Sequence, residues 1–160
     1  MKKKILDILK RNARTGTAEI AQKLGVSEAE VVDAIHELEQ ENVICGYQAV
    51  LNTSLLDDGM VRALIEVRVT PQRDGGFDRV AMRIARFPEV TSVYLVSGNY
   101  DLQLEVFGRS LQDVANFVAE KLSSIEGIIS CTTLFMLKKY KEAGRLMDND
   151  PELERIVVSP

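Results

Sequence analysis

Six basic side chains near the start of the chain have the chemistry needed to bind the phosphates of nucleic acid. Lys and Arg neutralise phosphate charge, and this supplies most of the non-specific affinity of a DNA-binding protein. Over residues 1–45, however, seven basic residues are balanced by eight acidic ones. The sequence therefore predicts backbone contacts from a few positions only: Lys2, Lys3, Lys4, Arg11, Arg14 and Lys23.

A second group of polar side chains lies at Gly98, Asn99 and Tyr100 and at the following Asp101. Gly and Asn are common in hairpin turns because they tolerate a positive φ, so an ordinary turn is one interpretation. Asp101 is harder to explain, because it begins an apolar strand and its carboxylate needs a partner. That carboxylate could accept from the ammonium group of a ligand, and backbone amides near Gly98 could bind a ligand carboxylate.

Three short helices are predicted to position the N-terminal groups. Apolar residues at i, i+3 and i+4 place the first helix at residues 2–12; Thr17 can cap the second helix, which ends at Gly25. Ser27 and Glu30 have the capping-box pattern that begins a third helix. A three-residue turn joins the second and third helices, and a strand-like run follows at residues 43–51. This order predicts a winged helix-turn-helix.

The solvent side of the predicted third helix is acidic. Asp33 and Glu37 can accept from cytosine N4, but they face phosphates unfavourably. One interpretation is that they only form the solvated face of an amphipathic helix. The other is weak or unusually selective DNA binding, in which linked subunits raise the affinity. Besides the basic residues, the candidates for DNA contact are Thr17, Ser27, Ala29, Glu30, Asp33 and His36.

The second half of the chain has the β-α-β-β-α-β order of a ferredoxin-like fold. Residues 61–70 alternate between apolar and polar side chains, and two further strands are predicted at 91–97 and 101–107. Helical spacing is found at residues 77–85 and 111–122, and residues 128–137 form the last strand. The predicted fold class is α+β: an N-terminal winged helix-turn-helix plus a C-terminal ferredoxin-like β-α-β-β-α-β domain.

Apolar residues on both faces of the predicted sheet indicate association between subunits. In this fold both helices cover one face, and the other face should be polar if the domain stands alone. Tyr94 and Val96 alternate with Val93 and Leu95, and residues 134–137 are apolar throughout. We therefore expect sheet-to-sheet packing, and at least a homodimer.

Bulk properties favour a folded cytoplasmic protein with no cofactor and no metal. The net charge of −4 gives no global attraction to nucleic acid or to an anionic membrane. Asp7 and Lys10 interrupt the apolar N-terminal run, which argues against a signal peptide, and no run is long enough to span a membrane. Cys45 and Cys131 have no disulfide or metal-ligand spacing, so a reduced cytoplasm is expected.

Several sequence stretches together resemble the Lrp/AsnC (feast/famine) family of prokaryotic regulators. They are LGVS at 24–27, LEQENVICGYQAVLN at 38–52, FPEV at 87–90, VSGNYDLQLEV at 96–106 and the ending TLFMLKKYK at 133–141. The resemblance covers about residues 3–142. It implies a cytoplasmic transcription factor that binds operator DNA, responds to an amino acid or related metabolite, and assembles as a homodimer or a higher even-numbered oligomer such as an octamer.

The resemblance also suggests domain limits and an effector site. The expected parts are a DNA-binding domain at 1–45, a linking strand and hinge at 46–59, a sensing and oligomerisation domain at 60–142 and a loose tail at 143–160. The family's Gly-x-x-Asp loop, which corresponds to residues 98–101, helps to form the effector pocket between dimers. Thr132 and Thr133 are further candidates, although β-propensity alone explains them. Family members usually carry basic residues where this chain has Asp33, Ala34, His36 and Glu37.

Two other functions compete with a DNA-binding regulator. The acidic third helix favours a sensing and assembly module that has lost most DNA binding. A catalyst similar to the sirohaem decarboxylases shares the architecture, but the sequence has one histidine, His36, and no nucleophile–base pair by spacing. Gly75 and Gly76 precede a helix, yet Asp74 and Asp78 would repel a phosphate there. We therefore expect no enzymatic activity.

Overall fold

The computed structural model describes residues 1–56, 58–71 and 76–147. The chain divides into two compact units, Met1–Leu51 and Asn52–Pro160. The first unit contains three helices, α1 (Lys2–Arg11), α2 (Thr17–Leu24) and α3 (Glu28–Gln40). Their apolar faces meet around Ile5, Ile20 and Val31, which are fully buried. The predicted helix-turn-helix is confirmed.

The connection between α2 and α3 follows the predicted turn chemistry. Gly25 ends α2 in the left-handed region at φ 67°, where a side chain would be strained. Ser27 and Glu30 form the complete capping box at the start of α3. The prediction for Thr17 was wrong, because Gly16 occupies the cap position and Thr17 is the first helical residue. Its hydroxyl instead donates to the Glu28 carboxylate.

The predicted strand at residues 43–51 is absent, and so is the wing that it would form. Val43 and Ile44 turn back on α3, where both backbone N–H groups donate to the Leu38 carbonyl at 2.9 and 3.0 Å. The residues that follow are extended, with Tyr47 and Leu51 about half exposed. A strand exists only when a neighbour completes its hydrogen-bond ladder, and within the described chain this segment has no such neighbour.

The second unit is built on one antiparallel sheet. Its strands are β1 (Val61–Val69), β2 (Val90–Leu95), β3 (Leu102–Gly108) and β4 (Ile128–Phe135), in the spatial order β2-β3-β1-β4. Helices α4 (Asp78–Ile84) and α5 (Leu111–Asn116) provide the two crossovers, and a 3₁₀ turn at Thr53–Leu55 precedes β1. This is the predicted ferredoxin-like arrangement. The last strand is two residues shorter than predicted, and Leu137, beyond its end, is 96% exposed.

The core of the second unit lies between the sheet and its two helices. The alternate residues of β1 and β3 are buried there as predicted: Ala63, Ile65, Val67, Val69, Leu102, Leu104 and Val106. The other face of the sheet is mixed. Leu64 and Leu134 are paired on it, but Glu66, Arg68 and Glu105 also project there. That face is therefore less apolar than the sequence had indicated.

The helix after β3 changes its winding halfway along. A π-helical segment, Phe117–Leu122, continues α5. The wider turn buries Phe117 and Leu122, which are five residues apart, and leaves Ala115 and Ala119 exposed. The predicted apolar stripe, which assumed 3.6 residues per turn throughout, therefore missed Phe117.

A small hairpin follows the sheet at the predicted start of the tail. It pairs β5 (Lys141–Glu142) with β6 (Arg145–Leu146). Met147 is buried, its backbone N–H donates to the Tyr140 carbonyl at 2.8 Å, and its carbonyl accepts from the Asn52 amide. The rest of the expected tail, residues 148–160, lies outside the described residues. Asp74 and Gly75, which the sequence places just before a helix where Asp74 would repel a phosphate, also lie outside them.

Candidate nucleic-acid interface and effector site

Most acidic side chains of α3 make contacts within the chain. On the flank that faces α1, Lys2 Nζ lies 3.0 Å from Glu37 Oε2 and 3.1 Å from Glu41 Oε1. These two carboxylates raise the pKa of Lys2, the Glu37 hydrogen bond contributing most. Lys2 and Glu37 therefore partly neutralise each other, although both remain partly exposed.

The remaining glutamates of α3 also have partners. Glu28 accepts from the Thr17 hydroxyl, and Glu39 accepts from the Tyr47 hydroxyl at 2.9 Å. Glu30 accepts from the Ser27 hydroxyl at 2.7 Å and from its backbone N–H at 2.9 Å. These hydrogen bonds from Ser27 hold the pKa of Glu30 below its ordinary value. These glutamates therefore help to fold the first unit, and they keep their negative charge because their donors are neutral.

The outward face of α3 carries a narrow polar stripe. Ala29, Asp33, His36 and Gln40 lie opposite the buried Val31, Ala34 and Leu38, and all four are exposed. Gln40 Nε2 lies 2.8 Å from His36 Nε2, where the amide can donate to a neutral imidazole. Asp33 is the only carboxylate in this stripe. The second helix of a helix-turn-helix enters the major groove, so this stripe is the surface that can meet base edges.

The candidate phosphate-binding residues fall into two groups. The first group has partners within the chain: Lys2 pairs with Glu37 and Glu41, Lys23 Nζ lies 2.6 Å from Glu19 Oε1, and Arg11 also has an interaction partner. Lys3 and Lys4 are exposed and form no ion pair with a described residue, and Arg14 is exposed as well. Exposed ion pairs are worth about 0–1 kcal/mol, so phosphates can compete for Lys2 and Lys23.

The predicted DNA-contact residues therefore do not form one cluster. Ala29, Asp33 and His36 share the outward stripe, whereas Thr17, Ser27 and Glu30 are occupied in contacts at the start of α2 and α3. Gln40 was expected only on the solvated face of the third helix and was not among the candidates for DNA contact. Its position four residues after His36 on the outward face was the available signal.

The carboxylate of Asp101 has a partner within the sheet. Its Oδ2 accepts from the Val69 backbone N–H at 2.8 Å. Its own N–H donates to the Val67 carbonyl at 3.0 Å, and its carbonyl accepts from Val96 N at 2.9 Å. Asp101 thus holds the turn at residues 98–101 against the end of β1. The contact explains why an aspartate begins an apolar strand.

Two residues of β1 bring the other candidates of the turn together on the open face of the sheet. Arg68 Nε donates to the Asn99 carbonyl at 2.7 Å, and Glu66, two residues earlier on β1, lies close enough to Tyr100 for its charge to act on the hydroxyl. Partial burial, then the charge of Glu66, raises the pKa of Tyr100. Thr132 is paired with Glu66 across the β1–β4 ladder.

The open face thus presents a carboxylate and a guanidinium two residues apart, beside the turn that contains Gly98. Such a pair can bind the ammonium and the carboxylate of one small zwitterion. Thr133 does not join this group, because it is paired with the buried Ile65 and lies on the helix-covered face. Sequence reasoning placed Glu66 and Arg68 on the polar face of the strand but did not connect them with the turn.

The described residues contain no group of three or more His, Cys, Asp or Glu side chains that could hold a metal ion. In the same part of the chain, no helix is both long and apolar enough to cross a membrane.

Comparison with known proteins gives matches to both units. Residues 3–39 match the family model described as the AsnC-type helix-turn-helix domain, and residues 62–146 match the Lrp/AsnC ligand binding domain. The chain is 48% identical over 158 residues to the uncharacterized HTH-type transcriptional regulator YugG of Bacillus subtilis, covering 98% of this chain and 95% of that protein. It is 31% identical over 140 residues to the leucine-responsive regulatory protein of Rhizobium meliloti, covering 88% and 89%.

Solved structures agree with the sequence matches. The regulator NMB0573 of Neisseria meningitidis, in complex with L-Met, has a TM-score of 0.67 and 26% identity, covering 88% of this chain and 90% of that chain. Escherichia coli AsnC has a TM-score of 0.64 and 27% identity, covering 88% and 93%. The helix-turn-helix, the antiparallel sheet and these matches together show that the chain belongs to the Lrp/AsnC family of transcriptional regulators.

Proposed function

We propose that the protein binds operator DNA through the outward stripe of α3, with Ala29, Asp33, His36 and Gln40 at base edges. The single observation that carries this proposal is the orientation of α3, which makes Asp33 the only carboxylate in the outward stripe and places the glutamates of α3 on its flanks. The stripe contains no Lys or Arg, so phosphate contacts come from Lys3, Lys4 and Arg14, and from Lys2, Arg11 and Lys23 when their partners yield. Thr17 and Ser27 lie at the starts of α2 and α3, where they can contact the sugar-phosphate backbone of the DNA.

We further propose that assembly compensates for weak binding by each subunit. Leu64, Leu134 and Tyr94 on the open sheet face give two copies an apolar surface to share, and Tyr94 is about half exposed. A homodimer formed in this way, or a higher even-numbered oligomer such as an octamer, would present several α3 helices to one DNA. Linked modules gain about 10²- to 10⁴-fold in affinity when geometry permits simultaneous binding.

The proposed effector is a small amino acid bound at the turn of residues 98–101. Glu66 and Arg68 supply the opposite charges that a zwitterion needs, and Asn99, Tyr100 and Thr132 lie beside them. The L-Met complex of the Neisseria relative supports an amino acid as the ligand class. Asp101 acts by positioning the turn, and Thr133 remains a weaker candidate on the covered face. The proposed location is the cytoplasm, where free amino acids report nutrient supply.

A titration of the protein onto its own promoter fragment tests this function. At low and at moderate salt we expect a shifted complex whose affinity falls with salt, and one of the common amino acids should change that affinity or the assembly state. Folded, oligomeric protein that shifts no DNA at either salt would favour the second candidate, a sensing module without DNA binding. Chromatin immunoprecipitation of the tagged protein in its host would then identify or exclude target genes.

A further inference from the structure

A second polar cleft lies at the end of the sheet away from the turn of residues 98–101. It has a volume of about 340 Å³ and is bounded by the residue before β2, the end of β3 and one side of α5 with its π-helical continuation. We call it the α5 cleft; its walls include Met60, Glu89, Phe107, Arg109, Phe117 and Lys121. Clefts of this size are typical of small-molecule sites.

Glu89 is the unusual group in the α5 cleft. One of its carboxylate oxygens accepts from Lys121 Nζ, whereas Oε2 is buried and has no hydrogen-bond partner among the described residues. Buried polar atoms nearly always have a partner, so an unpartnered carboxylate oxygen requires an explanation. The hydrogen bond from Lys121 holds the pKa of Glu89 below its ordinary value, which keeps the carboxylate ionised at neutral pH.

The surroundings of Glu89 combine opposite charges with apolar walls. Phe117 packs edge-on against Phe87 with ring centroids 5.6 Å apart, and Phe107 and Met60 supply further apolar surface. Arg109 and the carboxylates of Asp113 and Glu120 line the same cleft, and all three are exposed. Carboxylates, a guanidinium and an apolar wall around one small volume match the three parts of an apolar α-amino acid.

We propose that the α5 cleft binds a free apolar α-amino acid, at a site separate from the turn of residues 98–101. The ligand ammonium donates to Glu89, whose unpartnered oxygen turns towards it while Lys121 keeps the other oxygen. The ligand carboxylate pairs with Arg109, and its side chain packs on Met60, Phe107 and Phe117. The mixture of charges favours a zwitterion over a simple amine or a simple acid.

The alternative explanation is a purely structural Glu89–Lys121 ion pair. Such a pair would stabilise the second unit, but it would give no reason for a ligand to alter the environment of Met60. The two explanations therefore differ in a ligand-dependent signal, which is independent of how stable each variant is.

The experiment follows the Met60 methyl resonance of the full-length protein carrying ¹³C-methyl methionine. L-leucine, L-valine and L-phenylalanine are titrated singly, beside isoamylamine and 4-methylpentanoate, which each lack one charged group of leucine. We expect at least one amino acid to shift Met60 saturably, with the two leucine analogues about tenfold or more weaker. Glu89→Gln and Arg109→Gln should each weaken the binding about 10- to 100-fold, because each removes a charged hydrogen bond.

Asp101→Ala separates this site from the effector site proposed at the turn. The Met60 shift should survive that variant unchanged at a temperature where its thermal melt shows the second unit to be folded. If none of the three amino acids shifts the Met60 methyl resonance, the proposed site in the α5 cleft is refuted. Equal binding of isoamylamine and leucine would also refute it, and so would a shift that Asp101→Ala abolishes. An amino-acid effect on DNA binding that depends on Asp101 would still support the proposed function in those cases. Arg109 is exposed, so Arg109→Gln keeps the test valid if Glu89→Gln fails to fold.

Discussion

Asp33→Asn is expected to tighten DNA binding more than Glu37→Gln, because Lys2 keeps Glu41 as a partner, 3.1 Å away, when the charge of Glu37 is lost. Both changes remove one negative charge from α3. Asp33, however, lies in the outward stripe, and Glu37 lies on the flank beside Lys2, 3.0 Å from its ammonium group. The pair of variants therefore measures which side of α3 meets the DNA.

The size of the effect follows from the position of Asp33. A side chain at the centre of a major groove about 12 Å wide lies roughly 7 Å from the phosphates on its walls. A charge pair at about that distance in water is worth about 0.6 kcal/mol, and salt screens it over about 8 Å at 0.15 M and about 30 Å at 0.01 M. For a dimer that uses both α3 helices, this gives about fivefold tighter binding at low salt and about twofold at physiological salt.

Fluorescence anisotropy with a labelled promoter fragment at the two ionic strengths gives the required constants. Asp33→Arg extends the test, because each added phosphate contact steepens the slope of log K against log salt by about 0.9, which is about 1.8 for a dimer with one new contact per subunit. Thermal melts of each variant control for folding. Equal tightening by Asp33→Asn and Glu37→Gln would refute the assigned orientation of α3, and so would an Asp33→Arg slope identical to that of the wild type.

Three further predictions concern contacts that hold the two units in their observed form. Asp101→Ala should destabilise the second unit by about 1–3 kcal/mol in chemical denaturation, because the Val69 N–H loses its acceptor, and Asp101→Asn should lose less; an Ala variant as stable as the wild type would contradict this. Ser27→Ala should cost the first unit about 0.5–2 kcal/mol by removing the cap of α3, with no change expected in the second unit. The folded-state pKa of Glu30 is lowered, so its contribution to the free energy of unfolding is complete above the ordinary glutamate pKa and is lost as the pH falls through the lowered value. The stability difference between wild type and Glu30→Gln should therefore vanish in acid. A difference that persists there would be inconsistent with an ionised Glu30 that accepts from Ser27.

Local patterns in the sequence were sufficient for the three helices of the first unit and for the four-stranded sheet of the second, but not for the segment at 43–51. The apolar spacing of α1, α2 and α3, the capping box at Ser27 and the alternation of β1 all depend on neighbours close in sequence. Phe117 was missed because the π-helical winding is not encoded in a 3.6-residue period. Thr17 was misplaced as a cap because its contact with Glu28 depends on how α2 meets α3.

The candidate sites depended on contacts between distant residues, which periodicity does not supply. Asp101 was correctly expected to need a partner, but that partner is a backbone N–H of β1, thirty-two residues earlier in the chain. Glu66 and Arg68 join the turn only through the register of the sheet. The acidity of α3 was apparent in the sequence, whereas the ion pair between Glu37 and Lys2 depends on the packing of α1 against α3.

The extended segment at residues 45–51 makes the assembly of this protein measurable with a protease. Its backbone is exposed and unpaired within the described chain, and Tyr47 and Leu51 are cleavage residues for chymotrypsin. Dilution that releases an isolated subunit should expose this segment and cut the chain between its two compact units. A subunit whose neighbour supplies backbone hydrogen bonds to residues 45–51 should resist cleavage. The cleavage rate measured against protein concentration therefore reports the extent of self-association.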